Sequence, residues 1–93
     1  MVNIAIIGLG DMGLGHLKGF DVLENVRIAA ICDINEVSVQ NALGFLHNNK
    51  PEIFTNYKDV LRESSVDAVV IAVPGYLHDE ILLECIKADK HVL

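Results

Sequence analysis

Val2–Gly13 constrains the fold of this chain more than any other stretch. Val2, Ile4, Ala5, Ile6 and Ile7 form a run broken only by Asn3, which stops at Gly8. A strand with one wet face alternates apolar with polar residues, whereas a nearly unbroken apolar run is buried on both faces. Strands of that kind belong to parallel sheets covered by helices on each side. Gly8-Leu9-Gly10-Asp11-Met12-Gly13 follows at once, and the spacing of Leu17, Phe20 and Leu23 predicts a helix from Met12 to about Val22.

The same alternation repeats down the chain. Val26–Cys32 is a second apolar run, ended by Asp33. From Asn35 to Leu46, Val39, Ala42, Leu43 and Leu46 fall at i, i+3, i+4 and i+7, an amphipathic helix that Asn48-Asn49-Lys50-Pro51 breaks. Ile53-Phe54 reads as a short third strand and Lys58–Glu63 as a short helix. Asp67–Val73 is a buried strand closed by Pro74-Gly75. From Leu77 onward, Ile81, Leu82, Cys85 and Ile86 share a helical stripe opposite Asp79, Glu80, Glu84 and Lys87, and Lys90–Leu93 begins a last apolar run. Strands alternating with helices demand an α/β fold: a doubly wound parallel sheet of about five strands with helices on both faces. Residues 1–93 make one domain. A complete sheet of this type has six strands, and the last run here meets no polar stop, so a piece of a larger domain is expected. An apolar edge left open in this way favours self-association.

With 52% hydrophobic and 22% charged residues, the chain suits a packed core and not disorder. A formal net charge of -6 argues against nucleic acid and anionic membranes, which call for clustered Lys and Arg. Cys32 and Cys85 lie far apart without CxxC or metal-type spacing, which predicts buried free thiols in a reducing cytoplasm. No basic, cleavable leader opens the chain, and its apolar stretches fall far short of the ~20 residues that span a bilayer.

The glycine pattern points to a dinucleotide because of where it sits, directly after a buried strand and opening a helix. Gly8 suits the tight turn, Gly10 close approach of backbone to a pyrophosphate, and Gly13 close helix–strand packing. The helix N-terminus offers free N–H groups to the phosphates. Read plainly, the same glycines are only a strand–turn–helix corner. Asp33 ends the second strand twenty residues after Gly13, where a carboxylate accepts from both ribose hydroxyls. Its plain reading is a turn aspartate before the next helix. Val73-Pro74-Gly75-Tyr76-Leu77-His78 ends the fourth strand, which neighbours the first in this topology and so flanks the crevice where strand order reverses. The cofactor-facing residues are therefore expected among Gly8, Gly10, Asp11, Met12, Gly13, Asp33, Ile34, Val73, Pro74, Gly75 and His78. Asp11 is the odd member, since a carboxylate beside a pyrophosphate repels it unless it points to solvent. Asp33, with no Arg or Lys between it and Lys50, favours NAD over NADP. No nucleophile–base set, paired carboxylates or metal cluster is legible, so any hydride chemistry belongs to the cofactor, and the acid–base residue to another part of the enzyme.

Ile6–Gly13 with His16, Ala30–Asn35, Val66–Pro74 with Leu77-His78, and Ala88–Leu93 together resemble the nucleotide-binding half of the glucose–fructose oxidoreductase/inositol dehydrogenase (Gfo/Idh/MocA) family over essentially the whole chain. The resemblance implies NAD(P)-dependent dehydrogenases acting on sugars, polyols and related hydroxy compounds. It also implies a Glu-Lys-Pro motif beyond the Lys90-His91-Val92 segment and a second domain that supplies most substrate-binding and acid–base residues. Gly75 stands where the family often has asparagine, which removes one polar group near the nicotinamide. The competing readings are a non-catalytic nucleotide-binding or redox-sensing module and, less favoured by Val73-Pro74 and Lys90-His91-Val92, a methyltransferase.

Overall fold

The computed structural model describes residues 1–93. Five strands, β1 (Val2–Ile7), β2 (Val26–Cys32), β3 (Glu52–Phe54), β4 (Ala68–Ile71) and β5 (His91–Val92), alternate with four helices, α1 (Asp11–Asp21), α2 (Glu36–Leu43), α3 (Tyr57–Leu61) and α4 (Gly75–Lys87). Every strand pairing is parallel, and the order across the sheet is β3-β2-β1-β4-β5. Strand order thus reverses between β1 and β4. No helix is long and apolar enough to cross a membrane.

The two faces of the sheet carry separate apolar layers. Ile4, Ile6, Ile28 and Ile31 pack with Leu17 of α1 and with Val39 and Ala42 of α2. Ala5, Ile7, Ala30, Cys32, Val69 and Ile71 pack with Val60 of α3 and with Ile81 and Cys85 of α4. Both thiols are free and buried. Along β1 the alternation is regular, but β2 carries a bulge. Ile4 pairs with Ile28 while Ala5 pairs with Ala30, so Ala29 is one residue too many on that strand. The bulge lets Ile28 and Ile31 share one layer while Ala29 and Ala30 both turn to the other.

Element boundaries depart from the sequence pattern by a few residues, each for a local reason. α2 stops at Leu43, not Leu46, because the chain tightens at Gly44, and the N–H groups of Phe45 and Leu46 bond three residues back to Ala42 and Leu43. Leu46 still packs on the core. α4 begins at Gly75, two residues before Leu77, since the Pro74 carbonyl accepts from the N–H groups of Leu77 and His78. β4 is shortened to Ala68–Ile71, with Asp67 outside the strand, where its Oδ2 accepts from the Asn3 N–H at 2.9 Å. Lys90 Nζ donates to the Glu63 and Val66 carbonyls, both at 2.7 Å, and fastens the start of β5 to the α3–β4 loop.

Asp21 is the one buried charged side chain, and its pattern carried no sign of it. Its carboxylate accepts from the N–H groups of His47 and Asn48 and from Asn49 Nδ2, at 2.9–3.2 Å. Asn49 Oδ1 in turn accepts from the Ile28 N–H. One carboxylate thereby ties the end of α1 to the α2–β3 loop and, through it, to β2. Burial alone raises the Asp21 pKa, but the bonds from Asn49, His47 and Asn48 outweigh it and hold the carboxyl below its ordinary value. Asp21→Ala, which strands these donors, should cost about 2–3 kcal/mol in denaturant melts. Because the folded pKa is depressed, the parent's share of this stability is complete above the ordinary aspartate value of about 3.9 and disappears as pH falls through the lower folded value. Stability of Asp21→Asn should be flatter over that acid range, and parallel acid profiles for parent and variant would contradict the assignment.

Candidate functional site

The C-terminal ends of β1 to β4 converge on one corner of the molecule. Gly8 ends β1, its N–H donating to the Cys32 carbonyl at 2.9 Å, and the Ala72 N–H donates to the Ile7 carbonyl at 2.8 Å. Gly8 has φ +97°, a left-handed conformation that side chains resist, and a Cβ there would meet the Ala72 carbonyl group. A Cβ at Gly13 would run into the Gly8 carbonyl, with its carbon at 2.8 Å. These two glycines let α1 sit directly on the end of β1. Leu9, between them, is 1% exposed and buries its side chain with Leu17 and Ile31, which nails the loop to the core.

Gly10 differs. Its φ of -74° suits any residue, and a Cβ would find nothing within 4 Å. The fold itself has no need of glycine here; the space beside it is simply left open. Gly10 is also the N-cap of α1 and supplies no side-chain cap, so the first-turn N–H groups have no acceptor from it. The four helices divide cleanly. Asn35 and Asn56 cap α2 and α3 with their side chains, whereas α1 and α4, which flank the strand-order reversal, start at uncapped Gly10 and Pro74.

Asp33 lies half-buried at the end of β2. Its Oδ2 accepts from the Leu9 N–H and its Oδ1 from the Asn35 N–H, both at 2.9 Å. The carboxylate is therefore held on both oxygens, and it joins the glycine loop to the first residues of the β2–α2 turn. Gly8, Gly10, Asp33, Ile34, Val73 and Pro74 line one crevice of about 430 Å³. Asp33 is the single charged side chain in that lining. Arg27 lies at the opposite end of the strands, beside Asp21 and Lys50, and Arg62 pairs with Asp59 on the surface. Asp11, Met12, Gly13, Gly75 and His78 stay out of the crevice lining. Asp11 and Met12 are exposed in the first turn of α1, Gly13 is buried against Gly8, and His78 bonds its N–H to the Pro74 carbonyl.

Sequence reasoning missed Ser38, Thr55 and Tyr57, and gave no role to Tyr76, Leu77 or Ile81, all of which line the crevice. Thr55 and Tyr57 follow β3, and Tyr76 and Leu77 follow β4, so the rule that ligands gather at strand C-termini would have found them. Cys32 lines it as well, but burial, then the charges of Asp33 and Asp59, push its thiol up to about 11. Cys85 is pushed up too, by burial and by Glu84, against an opposing pull from Lys90. Neither thiol forms thiolate readily at neutral pH, which weighs against thiol-based redox sensing.

The unequal surroundings of the three glycines make a stability prediction. Gly8→Ala and Gly13→Ala should each lose at least about 2–3 kcal/mol, since left-handed strain or a backbone collision has no cheap relief. Gly10→Ala should lose less than about 1 kcal/mol, the scale of a changed helix cap. Urea melts that rank the three alike would refute the geometry.

A family model described as an oxidoreductase family with an NAD-binding Rossmann fold (GFO_IDH_MocA) matches residues 2–93. Among curated proteins, a "Glycosyl hydrolase family 109 protein" from Shewanella woodyi is 33% identical over 97 residues, covering 97% of this chain and 21% of its own length. Among solved structures, myo-inositol dehydrogenase from Lactobacillus casei in complex with NAD(H) and myo-inositol superposes with a TM-score of 0.85 at 26% identity. That match covers 99% of this chain and 27% of the enzyme. A 3-ketoreductase from Actinomadura kijaniata in complex with TDP-benzene and NADP, at 24% identity and a TM-score of 0.86, shares the fold over 99% of this chain and 28% of its own. The chain thus spans about a fifth of the length of the curated relatives it matches.

Proposed function

Since the chain belongs to the Gfo/Idh/MocA oxidoreductase family and carries its NAD-binding Rossmann domain, we propose that it holds NAD for an oxidoreductase acting on a sugar, polyol or related hydroxy compound. The observation that carries this reading is Gly10. Its open side, next to an uncapped helix and a carboxylate already fixed by Leu9 and Asn35, leaves room that a side chain would narrow. A pyrophosphate fits there, where the first-turn N–H groups of α1 and their positive dipole end are free to meet it. Nicotinamide, when bound, accepts or gives the hydride. The chain's own residues bind and orient: Asp33 keeps lone pairs for the ribose hydroxyls, Ile34 walls the base, and Val73 and Pro74 close the crevice at the β4 end. The substrate class is supported by the relatives, one named for glycosyl hydrolysis and one bound to an inositol, both concerned with polyhydroxylated rings.

NAD is favoured over NADP on charge. A 2′-hydroxyl donates to the Asp33 carboxylate, whereas a 2′-phosphate places like charge beside it with no Lys or Arg in the crevice to offset it. Two unit charges ~4 Å apart repel by roughly 4 kcal/mol at an effective dielectric of about 20, less where solvent screens them. Calorimetric titration of the chain should therefore give an NAD affinity at least about tenfold above that for NADP. Asp33→Ser with Ile34→Arg should move the preference toward NADP, and Gly10→Ala should weaken NAD by about tenfold or more while leaving the fold intact. Equal affinity for the two cofactors in the parent would remove Asp33 from this role.

A further inference from the structure

Two helices on the same face of the sheet contribute to the crevice. Tyr57 opens α3, half-buried against the layer that holds Val60 and Ile81, and it lines the crevice beside Thr55. Leu77 and Ile81, from α4, line it as well. The Tyr57 hydroxyl donates to Glu80 Oε2 at 3.2 Å, and this is the only side-chain hydrogen bond that joins α3 to α4. Glu80 itself is exposed in the second turn of α4 and takes no part in the crevice lining. Burial, then the bond to Glu80 and its charge, push the Tyr57 phenol up, so it stays a protonated donor at neutral pH.

Topology says at which end of the crevice Tyr57 stands. Asp33, Ile34, Thr55 and Tyr57 follow β2 and β3, while Val73, Pro74 and Tyr76 follow β4, with Gly8 and Gly10 between them. A dinucleotide with its ribose at Asp33 and its pyrophosphate at Gly10 has its base among the first group. Ile34, 89% exposed, is a large aliphatic side chain standing there without a protein partner.

Resting on the dinucleotide reading above, we propose that the Tyr57–Glu80 bond is a strut between α3 and α4 that sets the width of the crevice at its base end. Tyr57 and Glu80 are then positioning residues for the adenosine half of the ligand. Tyr57 acts by holding the wall in place and Glu80 acts through Tyr57. A bond that served packing alone would contribute to melting temperature and leave affinity untouched, which gives the idea a separate readout.

The test is calorimetric titration of the full chain with NAD and with ADP-ribose, paired with melts of the unliganded protein. Tyr57→Phe and Glu80→Ala should each raise Kd for both ligands by the same factor, about three- to tenfold, on the scale of one hydrogen bond. The double variant should lose no more than either single one. Glu80→Gln, which keeps an acceptor oxygen, should stay within about twofold of the parent. Unliganded melting temperatures should move by no more than a few degrees. ADP-ribose affinity unchanged in both Tyr57→Phe and Glu80→Ala would overturn the proposal, as would Glu80→Gln behaving like Glu80→Ala. Failure of the parent to bind either ligand would instead overturn the dinucleotide reading, and the strut with it.

Discussion

The approach of Gly13 to the Gly8 carbonyl is the contact on which the remaining geometry hangs. It is backbone against backbone, with no room for even a methyl group between them. An α-helix whose first turn rests on the end of a strand must leave that strand at a fixed angle, and its N-terminus must stop at the strand's C-terminal edge. Leu9 then has one direction left, inward, and its burial with Leu17 and Ile31 keeps the loop from peeling away. Because β4 lies on the other side of β1, the same corner is bounded by Ala72 and Val73.

Against that tightness, the handling of polar groups is selective. α2 and α3 have their exposed amides answered by the side chains of Asn35 and Asn56, as isolated helix ends in water usually require. α1 and α4, on either side of the reversal of strand order, start without a side-chain cap, although the Pro74 carbonyl takes the N–H groups of Leu77 and His78. Asp33 is spent twice over on backbone donors and keeps capacity for more, since each carboxylate oxygen can accept two bonds. Order at the site comes from the protein, while the spare capacity of Asp33 and the open side of Gly10 belong to one crevice. This is the pattern of a binding surface shaped before its ligand arrives.

Much of this was legible in the residues. The five strands and four helices follow from runs and stripes of apolar side chains, and the parallel order follows from their alternation. Gly8, Gly13 and Asp33 announce themselves because each needs a particular backbone or charge at a particular place, and Gly10 is legible from its spacing between them. Asp21 did not, because nothing local marks it: its partners His47, Asn48 and Asn49 lie in a loop that reads only as a break, and their bonds are made by tertiary folding. Tyr57 was hidden for a similar reason. β3 is three residues long and barely registers as a strand, so the residues after it did not stand out as the end of one. The end of α2 was misread because Leu46 satisfies the helical period while packing on the core from a turn. Period reports which side chains are buried, and only indirectly what the backbone does to bury them.

The bulge at Ala29 has a consequence for how such chains vary in length. A strand buried on both faces ordinarily tolerates neither insertion nor deletion, because a shift of one residue turns every following side chain to the wrong layer. β2 contains its extra residue already. Removing Ala29 would leave Ile28 and Ala30 adjacent on opposite faces, with Ile31, Cys32 and Asp33 where they now stand. The number of residues between Gly13 and the acidic residue is consequently free to differ by one among homologous chains, although the position of the carboxylate in space is not. Alignments that insist on a constant count would misplace the acidic residue in a chain lacking the bulge, and the ladder partner, Cys32 opposite Ile7, is the surer ruler.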